Sequence, residues 1–337
     1  MDEDETDRSF FQCIERMRAV GLPTRDELVA LERQMRCSAL LPEVGEVFGN
    51  FMVHEALLER GAYGLLYRVT RLRDRLPLIL KVLRPHLFSE ETVCAFQRES
   101  EILIACAERG VKGIPLVFGR GVCGRSNERL HYYLMEELSG QSLSELVREY
   151  AWYGERFPVP RLLQFMIKLC KTLAPLHHLG VVHRDIKPAN IFVQAEAPVL
   201  LDFGSAAAPV TLTSRPNRIA RELQGTLSTM SPEQARREPP APAMDVFSLA
   251  ATMYLVLFDR SVYVKEGEVF LGVDECRRQE LFSRRAMAGE IQPLPPREGV
   301  SERLREVLEK ALAPDPAKRY TSARVFGRAL RQVLKRG

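Results

Sequence analysis

The sequence predicts an α+β protein with two lobes, a small β-rich lobe that contains one helix and a larger helical lobe. From Phe51 to Leu138, short β-rich runs alternate with turns of glycine, proline and charged residues, and one helical pattern interrupts them. Beyond Ser139 most apolar residues recur at helical spacing. With 337 residues the chain is long for one compact core. These observations favour two packed lobes with a cleft between them.

The expected elements match this division. In the first lobe we expect a helix at 89–109 and strands at 52–58, 65–70, 78–83 and 132–134. In the second lobe we expect helices at 142–150, 159–179, 244–258, 301–312 and 321–335. Two short strands are expected there as well, at 191–193 and 199–201.

Residues 1–46 differ in pattern from the rest of the chain and are expected to form a helical N-terminal extension. Ile14 and Met17 share one helical face, and Thr24 begins a second helix in which Glu27 completes a capping-box pattern. A helical pair that packs on the main body or on itself fits this pattern, and so does an arm that docks onto a partner. The expected domains are therefore an extension at 1–46, a first lobe at 47–137 and a second lobe at 138–337.

Composition and charge exclude several classes of protein. The net charge of +4 is small for this length, and no dense block of Lys and Arg indicates a nucleic-acid partner. The N-terminus is acidic where a signal peptide needs a basic start, and no apolar run approaches the ~18–20 residues of a membrane span. The seven cysteines are scattered without a C-x-x-C pair, and an odd number of unpaired cysteines suits a reducing compartment. We therefore expect a cytoplasmic protein with no membrane span.

The segment 183–190 carries the strongest chemical pattern. Asp185 lies in a predicted loop between an apolar helix and a strand, where its carboxylate can accept a proton from a hydroxyl group or orient that group. Asn190 offers an amide oxygen suited to a hard cation, and Lys187 can neutralise charge on a migrating phosphoryl group. The string H-R-D-x-K-P-x-N sets these residue types at fixed spacing, and it therefore indicates a phosphotransfer loop.

A second carboxylate comes soon after this segment. Asp202 stands directly after the strand pattern at 199–201, and Phe203 and Gly204 permit a sharp change of direction. A carboxylate at the end of a buried strand is a natural ligand for Mg²⁺ that bridges nucleotide phosphates. Its position close behind the 183–190 segment is hard to attribute to chance.

Residues upstream suggest where a nucleotide binds. Gly61 and Gly64 lie in a turn between two strands, where the missing Cβ lets backbone N–H groups approach phosphate oxygens; a plain β-turn fits the same residues. Lys81 stands inside a β-branched run and needs a partner there. Glu99 on the next helix is favoured as that partner by helical phasing, and Glu101 is the competing choice.

Together these motifs resemble the protein kinase superfamily, and in particular the eukaryotic-like serine/threonine kinases of bacteria. The resemblance covers about residues 47–337 and includes the glycine loop, the strand lysine, the helix glutamate, the H-R-D loop, D-F-G and a proline-glutamate segment. It implies a two-lobed protein-kinase-like fold and an ATP- and Mg²⁺-dependent enzyme that phosphorylates Ser and Thr hydroxyl groups of proteins.

The resemblance also implies roles for individual residues. Asp185 would be the catalytic base, and Lys187 would contact the γ-phosphate. Lys81, paired with Glu99, would hold the α- and β-phosphates. The implied Mg²⁺ ligands are Asn190 and Asp202. The implied nucleotide-binding residues are Gly61, Gly64, Leu66, Ile79, Lys81, Glu136, Leu138 and Phe192.

Four further positions imply structural support around residues 183–190, which we call the catalytic loop. Thr226 would support the side chains of that loop, and Asp245 would anchor its backbone. Glu233 would form a buried ion pair with Arg319.

Arg184, beside Asp185, implies regulation, because in this family such an arginine is usually neutralised by a phosphate on the activation segment. Autophosphorylation is therefore expected at Thr211 or Thr213.

Several residues depart from the family pattern. Glu59 replaces the first glycine of the loop, Ile79 and Phe192 add bulk to the expected adenine pocket, and Thr229 stands where an aromatic residue is usual. None of these changes removes a catalytic group. Two functional classes therefore stay open, an active phosphotransferase and a pseudokinase-like scaffold or binding module with weak nucleotide binding.

Overall fold

The computed structural model describes residues 41–57, 64–84, 89–123, 130–213, 225–270 and 274–335. The helices expected within residues 1–40 lie outside these segments. Residues 41–46, at the end of the expected extension, contain a turn and no helix. The domain boundaries drawn from the sequence stay predictions.

The strand patterns of the first part form a six-stranded sheet among the described residues. Its strands are β1 (Val47–Phe48), β2 (Phe51–Leu57), β3 (Gly64–Arg71), β4 (Pro77–Leu83), β5 (Val117–Cys123) and β6 (Leu130–Glu136). They are ordered β1-β2-β3-β4-β6-β5. The sequence pattern predicts four of them and misses two: β1, which has only two residues, and β5, in which Gly119 and Gly121 weaken the strand signal.

A smaller three-stranded sheet positions the predicted catalytic segments. It consists of β7 (Gln141–Ser142), β8 (Ile191–Gln194) and β9 (Ala197–Leu200), paired antiparallel in that order. The hairpin of β8 and β9 begins just after Asn190 and ends two residues before Asp202. Because Ile191 pairs with Leu200, both ends of the hairpin meet at one edge of the sheet.

The helical part matches the expected pattern at most positions. The described helices are α1 (Glu90–Glu108), α2 (Leu143–Trp152), α3 (Val159–His178), α4 (Pro232–Ala235), α5 (Pro242–Phe258), α6 (Glu275–Ala288), α7 (Glu302–Ala311) and α8 (Ala323–Leu334). Six of them lie within two residues of the predicted bounds. The sequence pattern misses α4, which has only four residues, and α6, whose sequence is too polar to show an apolar face. In the described part of the chain, no helix has both the length and the apolar character needed to cross a membrane.

The chain divides into two compact units, and the predicted α+β fold class is confirmed. One unit contains the described residues up to Val93 together with Arg120–Tyr133, and the other contains Cys94–Gly119 and Leu134 onward. The core of the larger unit surrounds α5, most of whose residues are buried. Against this core α3 and α8 pack closely, and a Cβ at Gly327 would lie 2.7 Å from Cβ of Cys170.

One buried ion pair ties α4 to the C-terminal part of the larger unit. Arg319 donates to both carboxylate oxygens of Glu233, at 2.6 and 2.8 Å, and both residues are at most 3% exposed. The guanidinium also donates to the carbonyl of Ala243 and lies 4.8 Å from the ring centre of Phe247. The bidentate geometry and the additional acceptor compensate the charge for its lost hydration.

A second buried charge, Asp245 on α5, fixes the segment that comes after α3. Its Oδ2 accepts hydrogen bonds from Nε2 of His177 and from the backbone N–H of His183, and its Oδ1 accepts one from the backbone N–H of Arg184. Asp245 has no solvent exposure. Burial acts to raise the pKa of this carboxyl, but the hydrogen bond from His177 and the charges and amides around it outweigh burial, so the pKa lies below its usual range.

Breaking the buried Glu233–Arg319 pair should cost far more stability than breaking an exposed pair nearby. We expect Glu233→Gln to lower the free energy of unfolding by about 3–5 kcal/mol, because it leaves the Arg319 charge buried without a counter-charge. Glu238→Gln, which breaks the exposed pair with Arg236, should cost less than about 1 kcal/mol. Urea unfolding of the two variants and the wild type measures the difference. Equal costs for the two variants would contradict the role assigned to the buried pair.

Stability should also depend on the ionised form of Asp245. Because folding lowers the pKa of this carboxyl, its contribution is fully present above the ordinary aspartate pKa of ~3.9 and is lost as the pH falls below it. On acidification from about pH 5 to about pH 3, the free energy of unfolding should therefore fall more steeply for the wild type than for Asp245→Asn. The exposed Asp274→Asn variant serves as the control and should behave like the wild type. Parallel curves for the wild type and Asp245→Asn would refute this interpretation.

Candidate active site

The backbone of the loop that comes after α3 is fixed at the two residues that precede Asp185. Besides the bonds from Asp245, the ring of His183 donates from Nε2 to the carbonyl of Leu201 at 3.0 Å and meets the ring of Phe203 edge-on, with 4.7 Å between their centres. Arg184 has a φ of 68°, a left-handed conformation that is unfavourable for a residue with a Cβ. The surrounding hydrogen bonds hold it there, and they thereby fix the direction in which Asp185 leaves the loop.

The carboxylate of Asp185 is held through both of its oxygens. Oδ1 accepts a hydrogen bond from the backbone N–H of Thr226 at 2.8 Å. Oδ2 lies 3.0 Å from Nζ of Lys187 and accepts a hydrogen bond from Nδ2 of Asn190 at 3.0 Å. Asp185 is 7% exposed, so these contacts are largely shielded from water. They leave the carboxylate one orientation, which would suit a group that binds a substrate hydroxyl in a set geometry.

Lys187 links the catalytic loop to the segment that begins at Gly225. Its Nζ donates to Oγ1 of Thr226 at 2.6 Å while staying beside Asp185. Gly225 is required before Thr226, because its φ is 103° and a Cβ there would lie 2.6 Å from the carbonyl oxygen of Arg184. The predicted support of the loop by Thr226 therefore consists of two direct hydrogen bonds.

Asn190 and Asp202 are brought side by side at the edge of the β8–β9 hairpin. The backbone N–H of Leu201 donates to the carbonyl of Asn190 at 2.8 Å, and Asp202 is the next residue. Nδ2 of Asn190 donates to the backbone carbonyl and to Oδ2 of Asp185, and this turns the amide oxygen away from that residue. Asp202 has a φ of 62°, and its Oδ1 accepts a hydrogen bond from the N–H of Gly204.

These two oxygen donors fit a magnesium ion. Mg²⁺ takes oxygen ligands and typically binds through one or two carboxylates or amides, completing its shell with phosphate oxygens and water. Among the described residues no group of three or more His, Cys, Asp and Glu side chains is arranged to hold a metal. The carboxylate of Asp202 and the amide oxygen of Asn190 form a donor pair of the kind that could hold a nucleotide-bound Mg²⁺.

Glu99 lies next to the segment that begins at Asp202. It is 4% exposed on α1, and a Cβ added at Gly204 would lie 3.9 Å from its Oε2. Glu101, the competing choice, is half-buried. Helical phasing thus correctly identified the more buried of the two glutamates, and the pairing of Glu99 with Lys81 stays a prediction.

Lys81 is a buried charge in the middle of β4. It is 5% exposed, and its Nζ lies 5.6 Å from the ring centre of Tyr133. On the neighbouring strand Leu66 stands opposite Lys81, and a Cβ at Gly64 would lie 2.8 Å from Cε of the lysine. Gly64 therefore leaves room for the lysine stem, a steric role that its place in a turn did not suggest.

The remaining predicted nucleotide-binding residues differ in how far the structure describes them. Ile79 on β4 and Phe192 on β8 are buried, at 8% and 7% exposure. Glu136 exchanges two hydrogen bonds with Leu116, one through its backbone N–H and one through Oε1, which fixes the end of β6. Leu138 is half-buried. Gly61 lies outside the described residues, as does Glu59.

Two residues that support the loop were not identified from the sequence. Gln234 donates from Nε2 to the carbonyl of Arg184 at 2.7 Å, and Thr252 donates from Oγ1 to the carbonyl of Ile186 at 3.2 Å. Both reach the catalytic loop from more than 45 positions away along the chain. A glutamine and a threonine within apolar or polar helices carry no signal of such a contact.

Comparison with known proteins agrees with this geometry. The family model described as protein kinase domain matches residues 52–331. Serine/threonine-protein kinase PknB of Mycobacterium leprae is 29% identical over 286 residues, which cover 83% of this chain and 41% of that protein. Serine/threonine-protein kinase PknA of Mycobacterium tuberculosis is 27% identical over 299 residues, which cover 87% of this chain and 63% of that protein.

The match is therefore to one part of these relatives. This chain spans less than half the length of the PknB proteins it matches, including PknB of Mycolicibacterium smegmatis at 28% identity. Within the matched region lie the strand lysine, the catalytic loop, the D-F-G segment and the buried ion pair. The chain belongs to the protein kinase family, and its relatives confirm the resemblance to bacterial eukaryotic-like serine/threonine kinases.

Proposed function

We propose that this chain is an active serine/threonine protein kinase that transfers the γ-phosphoryl group of ATP to Ser and Thr hydroxyl groups of proteins. The observation that carries the proposal is the arrangement at Asp185, whose two carboxylate oxygens are fixed by Thr226, Lys187 and Asn190. A carboxylate held in this way beside a cation is suited to orient an attacking hydroxyl group and accept its proton.

Within this proposal each residue of the loop has one role. Asp185 accepts the hydrogen bond of the substrate hydroxyl and takes its proton as the new O–P bond forms. The bond between the γ-phosphorus and the β,γ-bridging oxygen of ATP breaks, and ADP leaves with that oxygen. Lys187, 3.0 Å from Asp185, supplies a positive charge beside the transferred phosphoryl group. Thr226 keeps both side chains in place and, together with Lys187, favours Ser and Thr acceptors over Tyr.

ATP and Mg²⁺ are the proposed cosubstrate and cofactor. Bound Mg²⁺ would neutralise the negative charge that develops on the phosphate oxygens during transfer. Asn190 and Asp202 would hold it, Lys81 would bind the α- and β-phosphates, and Glu99 would orient Lys81. The proposed contacts of the nucleotide are otherwise Gly61, Gly64, Leu66, Ile79, Glu136, Leu138 and Phe192. Family membership supports both ligands, and the oxygen donors at the β8–β9 hairpin support the metal.

For the partners and the location of the protein we propose only general classes. Proteins with Ser or Thr acceptors are the proposed substrates, nucleic acid is not a proposed partner, and residues 1–46 are proposed to dock onto a partner or onto the chain itself. The cysteines that the structure describes are free thiols, which supports a reducing cytoplasm.

Phosphorylation of the segment after Gly204 is the proposed switch, and burial favours one acceptor. Thr211 is exposed, whereas Thr213 is 8% exposed. Burial lowers the pKa of Arg184, and the charge of Asp245 acts in the opposite direction. A phosphate on Thr211 would add charge-assisted hydrogen bonds that a buried guanidinium can use.

The alternative is a pseudokinase-like scaffold. The sequence suggests it because Glu59, Ile79 and Phe192 depart from the family pattern in the expected nucleotide site. Ile79 and Phe192 are indeed buried apolar side chains. Since both carboxylate oxygens of Asp185 are held by Thr226, Lys187 and Asn190, we favour the active enzyme. Thermal unfolding with millimolar Mg·ATP and a transfer assay separate the two interpretations.

Replacement of Asp185 should stop phosphoryl transfer. In an assay with radiolabelled ATP and a protein acceptor, we expect Asp185→Asn to lower label incorporation by about 10²–10⁴-fold, because the oriented proton acceptor is lost. Mg·ATP should still raise the unfolding temperature of this variant, since Asp185 is not a nucleotide contact. The surface variant Asp74→Asn is the control and should label like the wild type. Equal labelling of wild type and Asp185→Asn would end the enzyme interpretation.

Autophosphorylation should be found on Thr211. After incubation with ATP and Mg²⁺, mass spectrometry of the peptide that carries this residue should show one phosphate in the wild type and in Thr213→Ala, and none in Thr211→Ala. The physical reason is access, since Thr213 is buried and Thr211 is exposed. A phosphate on Thr213, or an unmodified peptide in the active wild type, would overturn this assignment.

A further inference from the structure

The residues after Thr226 border the place that an acceptor hydroxyl group must reach. The backbone N–H of Thr226 binds Asp185 at 2.8 Å, and the chain runs from there to Ser231, the N-cap of α4. We call residues 226–230 the acceptor loop. Because an acceptor hydroxyl group has to come within hydrogen-bond distance of Asp185, the conformation of the acceptor loop limits where a substrate peptide can lie.

The acceptor loop has few bonds of its own. The N–H of Thr229 donates to the carbonyl of Thr226 at 3.1 Å, and Oγ1 of Thr229 reaches the same carbonyl only at 3.5 Å. Thr229 also replaces the aromatic residue that the kinase pattern leads one to expect. Both bonds of Thr229 end on the carbonyl of Thr226, so they do not hold the carbonyls of Ser228 and Met230.

Two side chains between α5 and α6 hold these carbonyls. Oγ of Ser261 donates to the carbonyl of Ser228 at 2.7 Å, and the hydroxyl group of Tyr263 donates to the carbonyl of Met230. Ser261 is 5% exposed and Tyr263 is fully buried, so water competes little for either bond. Burial also raises the pKa of the Tyr263 hydroxyl, which therefore stays a donor.

The backbone that carries these two side chains is itself fixed. Nη1 of Arg285 on α6 donates to the carbonyl of Tyr263 at 2.7 Å, and the same guanidinium binds both carboxylate oxygens of Glu268. The N–H of Gln292 donates to the carbonyl of Val262 at 2.9 Å. These bonds hold the backbone at positions 261–263 in place. Side chains that position another segment need a fixed backbone of this kind.

We propose that Ser261 and Tyr263, which we name the bracket, are positioning residues for the acceptor substrate: they set the acceptor loop, and through Thr226 the approach to Asp185. The proposal deepens the proposed kinase function and rests on it. The hydrogen bonds of the two bracket hydroxyl groups end on the acceptor loop, so the bracket acts on the binding of the protein acceptor and leaves the binding of ATP unchanged. Removal of either hydroxyl group should therefore weaken the binding of the protein acceptor without changing the binding of ATP.

The test uses hydroxyl deletions and a matched control in the full chain. Tyr263→Phe and Ser261→Ala each remove one donor to the acceptor loop. Tyr254→Phe is the control: this tyrosine is also fully buried and donates to a backbone carbonyl, that of Pro293, at 3.1 Å. For each variant we would measure the unfolding temperature, the KM for ATP, and the kcat and KM for a protein acceptor. Hydrogen–deuterium exchange of the 226–230 amides is measured in parallel and requires no catalysis.

We expect Tyr263→Phe and Ser261→Ala to raise the KM for the acceptor by about threefold to tenfold each, with the KM for ATP unchanged. Exchange in the acceptor loop should become faster in both variants. Tyr254→Phe should lower the unfolding temperature to a similar extent and leave the acceptor KM and the 226–230 exchange as in the wild type.

The possible failures are distinguishable. If the wild type transfers phosphate and the bracket variants keep its acceptor KM and exchange, the bracket proposal is overturned and the kinase function stands. If Tyr254→Phe changes the acceptor KM as much as Tyr263→Phe does, the effect is general destabilisation and the bracket proposal is again overturned. If the wild type shows no transfer, the proposed function fails, and unchanged exchange in Tyr263→Phe then overturns the bracket as a device that holds this loop.

Discussion

The geometry of the catalytic loop depends on one buried carboxylate, that of Asp245. A charge with no solvent exposure in the central helix is costly unless it is fully hydrogen-bonded. Asp245 meets this requirement by accepting hydrogen bonds from the ring of His177 and from the backbone amides of His183 and Arg184. The same bonds hold Arg184 in its left-handed conformation. The direction of Asp185 thus results from the need to satisfy a charge on a different helix.

The catalytic loop in turn positions the segment at 225–235. Thr226 joins Asp185 and Lys187, and the backbone can come this close because Gly225 has no Cβ. At the far end of the segment, the ion pair of Glu233 with Arg319 holds α4. The attraction within a buried ion pair is largely offset by desolvation, but loss of one partner is costly because it leaves the other charge buried. In this segment, the carboxylate of Asp185 holds one end through Thr226, and the ion pair of Glu233 with Arg319 holds the other end.

The sequence predicted the elements whose signals are local. Strand and helix periods located most strands and helices, and the spacing of H-R-D, asparagine and D-F-G identified residues that the hairpin of β8 and β9 does bring together. The sequence did not predict β5 or α6. Glycines interrupt the first, and the second buries Ala286 and the guanidinium of Arg285 in place of an apolar stripe. Neither element has the period from which secondary structure is inferred.

What the sequence by itself determined is the fold class and the family, and it also located the proposed catalytic groups, because each depends on residue types at short, fixed spacing. What only the tertiary structure decided is which distant groups hold them. Gln234 reaches the carbonyl of Arg184 and Tyr263 reaches that of Met230, and both bonds end on a backbone acceptor that every residue carries. An acceptor of that kind leaves no mark in the sequence, and packing alone selects it.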